Sequence, residues 1–414
     1  MENPRDGGDQ PPASSANVPA IAYNGLAEVA SLFLRLGFTA FGGPAAHIAM
    51  MRQEVVQRRK WLTDDRFLDL MSIVNLIPGP NSTELAIYLG YVRAGWPGLV
   101  VAGVCFIGPA MLIVLALAWL YVRLGSFPQV GWLLYGIKAV VIAIVAQAVW
   151  GLSRTVLKKV FPVILALIVL TCYLVGVNGL ILLVGGGLCV GLLRWMQRRR
   201  RKDMATSSIA FPLLSGMHGL WRALPIYASG AGTVLVVTPF SLLTLFLTFL
   251  KIGSILYGSG YVLLAFLHSD FVQGLGWLTD RQLLDAVSIG QFTPGPVFTT
   301  ATFIGYLVGG WQGALLATLA IFLPSFLLIA IIHPLTARLR SSPWTGAILD
   351  GVNIAALALM AGVLVQLGQS ALIDIWTWAI ALVSLVLLFR FKLNSAWLIL
   401  AGALLGLLRF WISG

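Results

Sequence analysis

Apolar residues fill this chain in long runs without alternation, and the elements they predict are membrane-spanning helices. Residues 99–120, 160–174, 313–332 and 375–388 approach or reach the roughly 20 residues that a helix needs to cross a hydrocarbon core. None has the period-two pattern of a barrel strand. Spans are predicted near residues 32–51, 99–120, 131–152, 160–175 and 179–193, and again near 239–267, 313–332, 346–367, 375–388 and 396–408.

The two sets match residue by residue. Phe33-Leu34-Arg35-Leu36-Gly37 recurs 216 residues later as Phe249-Leu250-Lys251-Ile252-Gly253, and Trp61 to Asp64 recurs as Trp277 to Asp280. Pro78-Gly79-Pro80 returns as Pro294-Gly295-Pro296, and residues 33–80 and 249–296 share 18 identities in 48 positions. One residue is then lost, so that Gly90, Trp96, Gly98 and Pro109 match Gly305, Trp311, Gly313 and Pro324 at an offset of 215. A duplicated unit in a membrane protein points to a transporter. The expected organisation is a disordered polar tail (1–25), a first repeat (26–196), a basic linker and connecting segment (197–236) and a second repeat (237–414).

Composition agrees with this class: 59% of the 414 residues are hydrophobic and 10% charged, against about 25% charged in soluble domains. No cleavable signal is apparent in residues 1–20, and Cys105, Cys172 and Cys189 sit in apolar runs as packing residues. The net charge of +12 is placed between spans rather than in a nucleic-acid patch. Arg58-Arg59-Lys60, Arg154 with Lys158 and Lys159, Arg198 to Lys202, Arg338 with Arg340, and Arg390 with Lys392 all fall on one side, expected to be the cytoplasm. Five spans separate equivalent points, so Arg58-Arg59-Lys60 and its uncharged counterpart Gly274-Leu275-Gly276 should face opposite sides. The fold class expected is therefore all-α and polytopic, with two inverted repeats of about five spans plus a broken Pro-Gly-Pro hairpin each. Both termini are expected outside.

Candidate chemistry concentrates at the breaks. Two prolines end a helix, and Asn81-Ser82-Thr83-Glu84 after Pro78-Gly79-Pro80 reads as a restart, as do Thr299 and Thr300 after Pro294-Gly295-Pro296. A helix beginning inside the membrane presents free amides and a partial positive charge, which suits an anion. The plain alternative is a tight turn between two crossing helices. Arg35 and Lys251 occupy equivalent intramembrane positions and are candidate anion ligands or snorkelling cations, and so is Lys138, whose counterpart is Asn353.

Gly42 and Gly43, with the turn 257–260, would let amides approach a ligand or let helices pack. Glu84 is a proton carrier, a partner of Arg35 or Arg93, or a first-turn helix residue. Thr63 and Thr279 are expected to cap helices beginning at Asp64 and Asp280. His47, His218, His268 and His333 have no metal-ligand spacing. No P-loop, nucleophile motif or cofactor signature occurs, which argues against an ATP-driven pump or an embedded enzyme.

The string Asn75-Leu76-Ile77-Pro78-Gly79-Pro80-Asn81-Ser82-Thr83-Glu84, with Phe41-Gly42-Gly43-Pro44 and Gly90 to Gly98, resembles the chromate ion transporter family in its long, two-domain form. The resemblance spans the chain beyond residue 25. It implies a bacterial inner-membrane protein, set in the lipid bilayer, that moves chromate out of the cytoplasm and confers resistance; with the repeat this gives a secondary transporter, and the residues themselves suggest no metal or other cofactor. Sulfate, a tetrahedral dianion too, would suit the same cage, so a sulfate-type carrier or an anion channel remain readings of the residues. A homodimer is compatible with such a carrier. Val297-Phe298 stands where Asn81-Ser82 does, so the first repeat is expected to supply more of the polar contacts.

Overall fold

The computed structural model describes residues 23–75, 77–124, 127–203, 239–256, 260–332, 343–391 and 393–413. Residues 1–22 of the tail, residues 204–236 of the linker, residues 237 and 238, the turn residues 257–259 and the basic positions 338, 340 and 392 lie outside the described residues, as do His218 and His333. Among the described residues there are only helices and turns. The first repeat comprises α1 (Tyr23–Thr39), α2 (Gly43–Arg52), a π-helical turn (Gln53–Arg58), α3 (Asp64–Val74), α4 (Asn81–Leu124), α5 (Pro128–Val156), α6 (Val160–Leu174) and α7 (Gly179–Asp203). The second comprises α8 (Leu242–Ile255), α9 (Leu263–Leu267), a π-helical turn (His268–Gly274), α10 (Asp280–Phe292), α11 (Thr300–Ile332), α12 (Pro343–Ala371), α13 (Ile375–Phe391) and α14 (Ser395–Ser413). α7 continues through Arg198–Arg201, where the linker was expected to begin.

Local chemistry sets the boundaries twice over. Thr63 accepts the Arg66 amide and Thr279 forms a capping box with Gln282, which fixes the starts of α3 and α10 as expected. Within α4 the backbone leaves the helix at Ala94 and Gly95 (φ 64°), and within α11 it does so at Gly309 and Gly310 (φ 60°). Each is the bend of a tight helical hairpin. A Cβ on Gly90 would meet the backbone of Gly98, and one on Gly305 that of Gly313, so these glycines let the arms touch.

Contacts establish which ends lie together. Arg93 bonds Glu28 of α1 at 2.7 Å and sits 5.3 Å over the Trp61 ring, so the start of α1, the 59–62 loop and the bend of α4 share one end. The long arm of α4 leaves that end, α5 returns to it and brings Arg154 back; this is the basic end. Arg194, late in α7, pairs with Asp350 near the start of α12, whereas Tyr135, early in α5, bonds Asp374 just past the end of α12. α5 and its counterpart α12 are therefore antiparallel, and the repeats are inverted.

Two expectations need correction. The spans 32–51 and 239–267 are not continuous: the first breaks at Phe41–Gly42, with Gly42 at φ 104°, and the second breaks after Ile255. α1 and α2 therefore form a fold-back that returns to the basic end instead of one crossing. As a result α1 begins at the basic end while α14 ends at the other, next to Trp132 and Tyr135. Both Pro-Gly-Pro segments are likewise tips of re-entrant hairpins, since α3 and the first arm of α4 are 11 and about 13 residues long, or ~16–20 Å. Six helices among the described residues are long and apolar enough to cross a membrane.

Candidate functional site

Four helix interruptions meet halfway through the bundle. Gly79 N–H donates to the Leu256 carbonyl at 2.7 Å, and Gly295 N–H donates to the Ala40 carbonyl at 2.9 Å. Leu256 is the repeat counterpart of Ala40, so the bonds are reciprocal, as a pseudo-two-fold axis requires. Each Pro-Gly-Pro tip thus closes on the broken first helix of the opposite repeat. The positive φ values of Gly79 (141°) and Gly295 (86°) suit glycine, and a Cβ would strike Glu84 at Gly79 or come within 2.7 Å of Ala110 at Gly295.

Beside these tips lies a cavity of about 420 Å3 lined by all four interruptions: Gly42 and Pro44, Pro80 to Ser82, Gly260, and Pro296 to Phe298. Three helical segments begin at its wall, α2 at Gly43, α4 at Asn81, and the 3-10 turn at Val297 that leads into α11. The amides of Thr83 and Glu84 bond the Pro80 carbonyl and that of Thr299 bonds Pro296. Among the described residues, the amides of Asn81, Ser82, Val297 and Phe298 are left without a carbonyl partner. Free donors at several helix starts create a positive potential without a charged side chain. Each start contributes about 1 kcal/mol toward an anion, far less than the cost of stripping a dianion bare. The cavity has room for a tetrahedral ion with several waters, which keeps it partly hydrated.

The residues singled out in the sequence divide into three groups. Gly42, Asn81 and Ser82 line the cavity and Gly43 adjoins it. Asn81 also donates to Asn75 at 2.7 Å. Thr83, Glu84, Thr299 and Thr300 lie buried just behind the wall. Thr299 and Thr300 spend their hydroxyls on the Pro296 and Val297 carbonyls. Glu84 faces Ser325 of α11, yet neither carboxylate oxygen nor that hydroxyl completes a well-aligned hydrogen bond.

Arg35, Lys251 and Lys138 form the third group, away from the lining. Arg35 pairs with Glu54 and Lys251 with Asp270, both at 2.7 Å, and Glu54 and Asp270 are themselves repeat counterparts. The pairs tie the first helix of each repeat to its π-helical turn. Glu54 also takes Arg58 at 2.6 Å, so its charge is shared. Lys138 pairs with Asp285 at 2.8 Å beside a different cavity.

Sequence reasoning missed His47. Its Nε2 lies 3.1 Å from the Ala40 carbonyl and its Nδ1 3.4 Å from the Ser82 hydroxyl. A carbonyl only accepts, so Nε2 carries the proton and Nδ1 of the neutral ring accepts from Ser82. Ala40 accepts the Gly295 amide too, and the chain Gly295–Ala40–His47–Ser82 links the second tip to the polar wall of the first. No periodicity joins residues 47 and 82, and the counterpart of His47 is Leu263, so neither repeat nor motif marks it.

The sequence profile of the chromate transporter family matches residues 27–192 and 243–407. The chain is 35% identical over 408 residues to the chromate transport protein of Cupriavidus metallidurans, covering 97% of this chain and 98% of that one. It is 32% identical over 401 residues to a probable chromate transport protein of Synechococcus elongatus, covering 94% and 96%. A chromate transport protein of Pseudomonas aeruginosa is 31% identical over 385 residues, covering 91% of each chain. No solved structure matches the chain. With six candidate spans and two profile matches, one on each repeat, this multi-pass membrane protein belongs to the chromate transporter family.

Proposed function

We propose that the chain is a secondary transporter that exports chromate across the bacterial inner membrane, conferring resistance, with the basic end in the cytoplasm. The single observation that carries this reading is the cavity where helix starts from both inverted repeats converge. Chromate is a tetrahedral dianion near neutral pH, and the amides of Asn81, Ser82, Val297 and Phe298, with the second N–H of the Asn81 side-chain amide, offer it neutral donors. Sulfate has the same shape and charge and competes for the cage. The relatives named as chromate transport proteins support the choice of ion.

Access alternates as the repeats rock about the two reciprocal tip contacts, which the pseudo-two-fold axis exchanges. Arg35 and Lys251, paired with their carboxylates, hold the re-entrant hairpins in this account and leave the ion's charge to helix termini. Glu84, without a settled partner behind the cavity, is the proposed coupling carboxyl. The test is uptake of radiolabelled chromate into everted membrane vesicles containing the protein, with and without a proton gradient and with excess sulfate. Gradient-dependent uptake suppressed by sulfate is expected, and no uptake by inserted, folded protein would overturn the proposal.

A further inference from the structure

A second cavity, of about 600 Å3, opens at the end opposite the basic loops, where the starts of α5 and α10 meet the end of α12. Trp132, Tyr135, Lys138, Arg281 and Asp374 line it. α10 runs from this cavity to the central one: Arg281 and Phe292 are eleven residues apart, about 17 Å, and the Pro294–Pro296 tip follows.

The charges here are unlike those at the centre. Lys138 is 9% exposed and pairs at 2.8 Å with Asp285, which is 2% exposed. Tyr121 donates to the other oxygen of Asp285 at 2.9 Å, so that carboxylate keeps a partner if the ammonium turns away. Arg281 is exposed and has no ion-pair partner among the described residues. Arg409 is held by Asp374 at 3.0 Å and stacks against Trp132, Tyr135 and Trp376. Three cations, Lys138, Arg281 and Arg409, face two carboxylates, Asp285 and Asp374, which leaves one net positive charge. The repeat counterparts of Lys138 and Arg281 are Asn353 and Asp65, so the symmetry-related position does not build the same cluster.

We infer that this cavity is a second oxyanion site on the route between the central cavity and the end opposite the basic loops, where the passing dianion displaces Asp285 from Lys138. The inference rests on the proposed anion path. An ion leaving neutral amides meets a cation whose carboxylate partner keeps the hydrogen bond from Tyr121, so the exchange leaves Asp285 with a donor although it gives up its ion pair. The same chemistry would hold a lipid headgroup phosphate, since tryptophans mark a membrane interface.

Equilibrium binding of radiolabelled sulfate to the full chain in phosphatidylcholine nanodiscs tests this. Two equivalents are expected in the parent protein. One is expected in the doubly neutral variant Lys138→Gln/Asp285→Asn, which leaves no unpaired buried charge. Arg281→Gln, at an exposed position, should weaken one of the two equivalents about fivefold. A single equivalent in the parent that persists in the double variant would overturn the second site and leave the central reading standing, whereas no binding at all would overturn both. Repeating the measurement with phosphatidylglycerol present should preserve two equivalents; loss of one would assign the cavity to lipid phosphate and overturn its place on the ion's path.

Discussion

The segments Pro78 to Glu84 and Pro294 to Thr300 have one backbone and two chemistries. Both are re-entrant tips with glycine at positive φ, both donate the glycine amide to the broken helix of the other repeat, and both begin a helical segment at the central cavity. Yet Asn81-Ser82 face the cavity from one side and Val297-Phe298 from the other, and among the described residues only the first has a histidine behind it. Symmetry supplies the scaffold and the amide donors, and the side chains break it; in the proposed function they carry selectivity.

The largest effects should come from the part that is shared. Gly79→Ala forces a Cβ into Glu84 at a strained φ, and a loss of about 3 kcal/mol or more is expected, read as loss of monodisperse protein and of transport together. Gly295→Ala should behave alike, since its bond is the reciprocal one; normal folding of either variant would break the argument for a paired scaffold.

Exchanging the side chains should separate the tips. Asn81→Val/Ser82→Phe is expected to lower chromate uptake about a hundredfold, in the range seen on removing preorganised donors, with protein still inserted. The reverse exchange, Val297→Asn/Phe298→Ser, should keep uptake within about threefold of the parent, because it adds donors without removing any. Equal losses in the two exchanges would mean that the halves contribute alike.

Glu84→Gln preserves shape and removes the carboxyl. Sulfate-competable uptake should persist while its dependence on an imposed proton gradient disappears, measured in the same everted vesicles. An unchanged gradient dependence would remove Glu84 from coupling. His47→Leu, which copies the second repeat, is expected to raise KM about tenfold through loss of the Ser82 contact, with His47→Gln recovering part of the change. The smallest effect should come from Glu54→Gln and Asp270→Asn: the cations they hold are partly exposed, so each change should cost less than about 1 kcal/mol, seen as a small shift in Tm with KM unaltered.

Much of the scaffold was legible in the sequence because it rests on local signals. The repeat, the Pro-Gly-Pro breaks and the Thr63 and Thr279 caps are each readable from a few adjacent residues. The fold-back at Gly42 was not, since an apolar run of span length reads as one crossing whether or not a positive-φ glycine reverses it. The partners of Arg35 and Lys251 were missed for a related reason: Glu54 and Asp270 stand 19 residues away, and only the fold-back brings them near. The His47–Ser82 contact joins different hairpins and leaves no periodic trace. Charge placement predicted the basic end, while the side on which α1 begins depended on the unread reversal.

The most direct test of the central cavity is protection from a charged thiol reagent. In a chain with Cys105, Cys172 and Cys189 replaced by alanine, single cysteines would be placed by Ser82→Cys, Val297→Cys and, as an exposed reference in the turn at the end of the bundle, Gln273→Cys. Sulfate at concentrations that compete with chromate uptake should slow labelling at positions 82 and 297 together and leave position 273 unchanged. Undiminished labelling at 82 and 297 under full competition would contradict an oxyanion seated between the two tips.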